Sequence, residues 1–270
     1  MSGRQALALL LAVVAGLGAV AGASAWWMRD AVVSRDGFAD RAAVALEQEA
    51  VRDAVEREIV AQVRDRLPAQ VPRARVRDVV RRAVDGGAFD VALASGAAEF
   101  NDALVRGAPT STFEIDMGRV LDQTDPELAA LVGDVGRARI ARVHAGDLPV
   151  NPKRAADLVR GLAAVGPPLA FFALAGALAV ARDRRAAVGA FGLAALVASL
   201  LLFAGLAAGR AAVRDEVRGG TGLSTAQARD AAAAAWSEAT GGVRTVAIAG
   251  GAGGLLLAVA GFGPWGRRRR

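Results

Sequence analysis

The sequence predicts a mainly α fold: four transmembrane helices and an extracytoplasmic helical domain with room for a small β-hairpin. The first observation behind this is clustering. Hydrophobic residues make up 54% of the 270, and they gather in four stretches without any charged side chain, Gln5 to Met28, Gly161 to Ala181, Ala186 to Gly209 and Thr245 to Gly266. Each holds 21 to 24 residues, and at about 1.5 Å of rise per residue each reaches across a hydrocarbon core of about 30 Å. Because 22% of the chain is charged, buried helices of a soluble protein explain four such runs poorly.

The second observation is where the charge lies. From Arg29 to Arg160 there are 20 basic and 22 acidic residues, and from Arg210 to Arg244 there are 5 and 4. Arg4, the turn Arg182-Asp183-Arg184-Arg185 and the tail Arg267, Arg268, Arg269 and Arg270 hold 8 basic residues against 1 acidic, a net of +7, so the excess behind the chain's net charge of +6 lies at the two ends and in one tight turn. Short basic segments mark the cytoplasmic side. The expected order is therefore residues 1–28 as the first transmembrane helix with its N-terminus inside, 29–160 as the extracytoplasmic domain and 161–181 as the second span. A cytoplasmic turn follows at 182–185, then the third span at 186–209, an extracytoplasmic helical hairpin at 210–244, the fourth span at 245–266 and a basic cytoplasmic tail at 267–270. The basic excess is a topology signal, and a nucleic-acid partner is not expected.

The first span has a competing reading. Arg4 precedes the apolar run and Ala23-Ser24-Ala25 has the form of a signal-peptide cleavage site, but the run before it is longer than a signal peptide uses. Trp26 and Trp27 stand where an interfacial aromatic belt belongs. An uncleaved anchor is the expectation.

Beyond Trp27 the composition turns charged and amphipathic. Val51, Val55, Ile59, Val63 and Leu67 recur every fourth residue with Val60 beside them, predicting a surface helix over 48–67 that Pro68 and Pro72 end. Arg73 to Val84 repeats the pattern with Val76, Val79, Val80 and Val84, and its Arg73, Arg75, Arg77, Arg81 and Arg82 read as a solvated face. After Gly86-Gly87 a further helix carries Phe89, Leu93, Phe100 and Leu104 as a core stripe. Phe113 to Met117 alternates with period two, as does Ala138 to Val143, and the two are candidates to pair. Asp125-Pro126 and Asn151-Pro152 are both cap-then-Pro helix starts. Leu128, Leu131, Val132 and Val135 follow the first as a buried face. From the second, helical spacing runs unbroken into the second span, predicting a rigid connection, with a kink expected at Pro167-Pro168. In the 210–244 segment, Ser224 and Gln227 form a capping box for a short helix that Gly241-Gly242 closes.

No catalytic constellation is expected. The only histidine, His144, has Asp147 nearby but no second histidine and no cysteine to complete a metal site, so it reads as an exposed loop residue. Neither a cofactor nor a metal is called for. None of the four stretches from Gln5, Gly161, Ala186 and Thr245 contains an ionisable residue, which argues against a proton- or ion-coupled transporter made from this chain alone. The spans instead hold Gly18 with Gly22, Gly205 with Gly209, and Gly250 with Gly254, three GxxxG pairs suited to close helix packing inside the bundle or between copies in a homo-oligomer.

Phe38, Arg41 and Leu46, the run Val51-Arg52-Asp53-Ala54-Val55 with Ile59, and Phe89 together resemble a group of multi-pass membrane proteins of high-GC Gram-positive, actinobacterial-type bacteria that have no assigned activity. The resemblance implies one N-terminal span, an outer helical domain, a few C-terminal spans and a plasma-membrane location, and it supplies no catalytic residues. The expected function is that of a non-enzymatic envelope protein. Its outer domain would sense, scaffold or bind an envelope or membrane protein partner, with the lipid bilayer as its other contact. An accessory subunit of a transport or lipid-handling system is the alternative, favoured by a deep apolar pocket in the outer domain.

Overall fold

A computed structural model of the chain describes residues 3–65, 67, 71–132, 137–144, 150–216 and 225–263. It is mainly helical and divides into two compact units. One, the apolar-helix unit, comprises Met1–Arg29, Asp157–Ala211 and Thr240–Arg270; the other, the polar unit, comprises Asp30–Ala156 and Ala212–Ala239.

The apolar-helix unit is built from α1 (Gly3–Met28) and the greater part of α8 (Pro152–Val180), α9 (Arg184–Glu216) and α10 (Thr225–Phe262), whose ends at 152–156, 212–216 and 225–239 fall in the polar unit. All four are long and apolar enough to cross a membrane. Their contact faces are made of small residues. Ala12, Ala177, Ala187 and Ala190 form one buried cluster. A Cβ at Gly16 would lie 2.5 Å from the Phe191 carbonyl oxygen, and one at Gly22 would lie 2.9 Å from Pro167 Cδ. The backbones touch because no side chain stands between them. Polar groups tie the turn between α8 and α9: Gln5 Oε1 accepts from the backbone N–H groups of Arg182 (3.2 Å) and Asp183 (3.4 Å). Asp183 Oδ1 then accepts from the N–H groups of Arg185 and Ala186 and caps α9.

Between α1 and the polar unit's first helix, Arg29–Val33 forms a single π-helical turn. Ser34 caps α2 (Arg35–Leu46), its Oγ accepting from Gly37 N at 3.1 Å. α3 (Glu49–Arg64), α4 (Arg73–Val84) and α5 (Gly87–Arg106) follow. α3 and α4 turn their valines, and α5 its Phe89 and Leu93, onto one core, in which Ile59, Val80 and Phe89 are fully buried. Gly107 ends α5 in the left-handed conformation (φ 79°) that a residue with a side chain rarely adopts. β1 (Thr110–Asp116) leads into α6 (Met117–Thr124) and α7 (Pro126–Val132), and β2 (Arg137–His144) pairs antiparallel with β1. Register runs from Thr110 opposite His144 to Asp116 opposite Arg137, with a bulge at Phe113/Glu114. Gln62 of α3 holds the bulge, accepting from Arg139 N at 2.9 Å and donating to the Arg139 carbonyl.

Several sequence expectations change. The first strand begins at Thr110, ahead of Phe113, and Met117 opens a helix instead of ending the strand. Asp116 causes the switch, since its side chain accepts from Arg119 N and caps α6. The helix expected to run to Leu67 ends at Arg64, and Pro72 serves as the N-cap position of α4. His144 lies in β2, not in a loop. Gly241-Gly242 does not stop a short helix: α10 is continuous through it. Ser224, the 219–222 turn, Pro68 and Val135 lie outside the described residues, as do the side chains of Leu128, Leu131 and Val132.

Candidate functional site

Three places in the described structure bring together residues singled out by sequence. The first is the packing seam of the apolar helices. Gly18 lies against Ala170 and Gly22 against Gly166 and Pro167, both joining α1 to α8. Gly254 meets Gly192 and Leu196, while Gly250 meets Ser199 and Val20. Gly205 has nothing within 4 Å of where its Cβ would be, and Gly209 is half-buried in the same helix, α9. Two of the three GxxxG pairs are therefore used within the unit, and Gly205 faces outward. Sequence reasoning passed over Gly16, Gly189 and Gly192, which make equally close approaches. For α1 the signal was present as Ala8, Ala12 and Gly16, small residues four apart.

The second place is the end of α1. Trp26 is 58% exposed, as an anchor at a membrane edge would be, whereas Trp27 is half-buried with its indole directly over Gly242 of α10. Ala23-Ser24-Ala25 is inside the helix, with Ser24 Oγ donating to Val20 O at 2.8 Å. Arg4, Arg182, Arg184 and Arg185 are exposed. Arg267, Arg268, Arg269 and Arg270 lie outside the described residues. An apolar groove runs between α1 and α10. Its Trp end, about 690 Å³, is lined by Trp26, Trp27, Pro167 and Ala170. A further stretch of about 350 Å³ is lined by Gly250, Gly253, Phe191 and Leu257. The two share Ala19, Ala23 and Val246.

The third is a polar depression of about 250 Å³ in the polar unit, between α5 and β1, with Ser95, Glu99, Glu114, Asp116 and Arg119 on its walls. Its carboxylates are engaged. Glu114 lies 3.9 Å from Arg139, Asp116 caps α6, and Glu99 has a partner of its own. Among the described residues no group of histidine, cysteine, aspartate and glutamate side chains has the arrangement of a metal site. His144 stands exposed opposite Thr110, and Asp147 lies outside the described residues.

The core of the polar unit is filled by side chains from α3, α4, α5, α6 and β1, with Phe89, Ile115 and Met117 fully buried. The arginines of α4 pair outward: Arg75 with Asp125 and Glu127, and Arg81 with Glu56. In comparisons with protein-family models, curated proteins and solved structures, nothing matches this chain.

Proposed function

We propose that the chain is a multi-pass plasma-membrane protein of a bacterial envelope, non-enzymatic, with both termini cytoplasmic and the polar unit outside as a scaffold or binding domain. The observation that carries this reading is the inverted packing of the apolar-helix unit. Ala8, Ala12, Ala15, Ala177 and Ala187 are 0% exposed, while Phe171, Phe172, Leu201 and Leu256 are between 67% and 71% exposed. In water the large side chains would be inside. In lipid, where they lose nothing by facing outward, small residues take the interfaces. The arginines flanking the α8–α9 turn and those of the tail supply the orientation.

Several features support the finer parts. Residues Ala8 to Ala25 of α1 contribute a face of eight buried residues to the unit, so removing α1 as a signal peptide would strip the other three helices of that face. The carboxylates of the polar depression are held by arginine, by a helix cap and by other contacts, which suits a structural surface better than acid–base chemistry. Among the described residues the core of the polar unit is filled by side chains, which favours a scaffold or binding domain over the lipid-handling alternative.

Two experiments test the reading. Asp78→Cys, in the exposed face of α4, should react with a membrane-impermeant maleimide on intact cells, and Arg184→Cys should react only after lysis. The reverse pattern would overturn the orientation. In native membranes, crosslinking of the full chain should recover a reproducible partner protein that is lost when residues 30–156 are deleted. Unchanged recovery by the deleted chain would sink the binding role.

A further inference from the structure

We propose that the groove between α1 and α10 is a slot for one acyl chain of a phospholipid from the leaflet in which Trp26 and Trp27 lie. This rests on the membrane-spanning reading of the four helices. The groove needs an occupant, because a void among apolar side chains forfeits the dispersion contacts of its whole lining. No side chain of the described residues fills it: at Gly253, which lines it, a Cβ would meet nothing within 4 Å.

Depth identifies the occupant. Along α10 the lining runs from Val246 to Leu257, about 17 Å at helical rise. That is close to half of a hydrocarbon core of about 30 Å, the depth of a single leaflet. A transmembrane helix of a partner or of a second copy would continue across the other half, and with its side chains it is about 10 Å wide. The lining instead reaches no further along α10 than Leu257, and it includes Phe191, which packs against the buried alanine cluster of α1, α8 and α9. The ends differ in polarity as an amphiphile does. The far end is phenylalanine and leucine; the near end has the exposed Trp26 and, one turn further along the same chain, the exposed Arg29. An indole N–H and a guanidinium suit the glycerol and phosphate region of a lipid.

The test uses the full chain reconstituted in vesicles of phosphatidylethanolamine and phosphatidylglycerol that contain a phosphatidylglycerol with a photoactivatable diazirine in its acyl chain. Labelling, mapped by mass spectrometry, should concentrate on the groove residues Ala19, Ala23, Ala249 and Gly253, several-fold above the exposed Leu200 and Leu201. Gly253→Leu should abolish that excess by filling the slot with open space around it, so the fold survives. Gly205→Leu, equally open but on α9, should leave the excess intact. Labelling of Leu200 and Leu201 with no excess at the groove would overturn the slot and leave the membrane reading standing. No lipid labelling on any of the four helices would remove the membrane reading itself. If a photoreactive amino acid placed at Gly253 instead joined the chain to a second protein helix in native membranes, a helix and not a lipid would be the occupant, and the proposal would fall.

Discussion

Trp27 and Gly242 show how much a single residue can decide in a unit without large core side chains. The indole of Trp27 lies where a Cβ on residue 242 would be. Gly242→Val should therefore destabilise the apolar-helix unit by about 1–3 kcal/mol, the usual range for overpacking, read as a lower unfolding temperature of the purified chain in detergent. Trp27→Ala in the same chain should recover part of the loss, because residues in contact do not act additively. Gly253→Ala is the control: with open space around it, the substitution gains helix propensity of up to about 1 kcal/mol and meets no obstacle. Equal losses for Gly242→Val with and without Trp27 would refute the contact. The sequence placed Trp26 and Trp27 together as interfacial aromatics. It offered no means of separating them, because neighbouring helical residues point about 100° apart and only the position of α10 determines which one is covered.

At the scale of elements, legibility followed periodicity. The valines of α4 at 76, 79, 80 and 84 turn a narrow stripe inward, and the helix spans Arg73–Val84 as read from the sequence. β1 and β2 were legible from alternation, but the bulge between them depends on Gln62, which is 77 residues from its Arg139 partner. α6 was missed because it is short and follows the strand with no residue between the two elements. Its only local sign is Asp116, a residue shared by the end of one element and the cap of the next. Gly241-Gly242 misled for the opposite reason: glycine disfavours a helix interior by about 1 kcal/mol, yet the approach of Trp27 requires it there. One prediction separates stripe from surface within α5. Phe89 is fully buried and Val91, two residues on, is 66% exposed. Phe89→Ala should destabilise the polar unit by about 3–5 kcal/mol, and Val91→Ala should change it by less than about 0.5 kcal/mol. Limited proteolysis of the full chain across a urea series measures both. Comparable protection for the two variants would mean that Phe89 is not the core residue it is described as.

For the whole molecule, the proposed orientation rests on few side chains, which makes it open to a direct test. The segments 29–160 and 210–244 are nearly balanced in charge, so the surplus that would hold the α8–α9 turn and the C-terminus inside comes from Arg182, Arg184, Arg185 and the four arginines of the tail. Arg4 alone marks the N-terminus. Changing those seven arginines to Gln removes the bias from three of the four spans while leaving the hydrophobic runs and the small-residue contacts of α1, α8, α9 and α10 intact. The packing of the four helices has no preference for either side of a membrane, since their contacts are formed by small and apolar residues that carry no charge. Orientation should then divide between the two states. Labelling of the Asp78→Cys reporter on intact cells should fall well below that of the parent, with the remainder appearing after lysis. Restoring Arg182, Arg184 and Arg185 alone should recover most of it, because the turn orients α8 and α9 together. Undiminished labelling in the seven-fold variant would show that α1 and Arg4 set the orientation by themselves, and the arginines of the turn and tail would lose the role assigned to them.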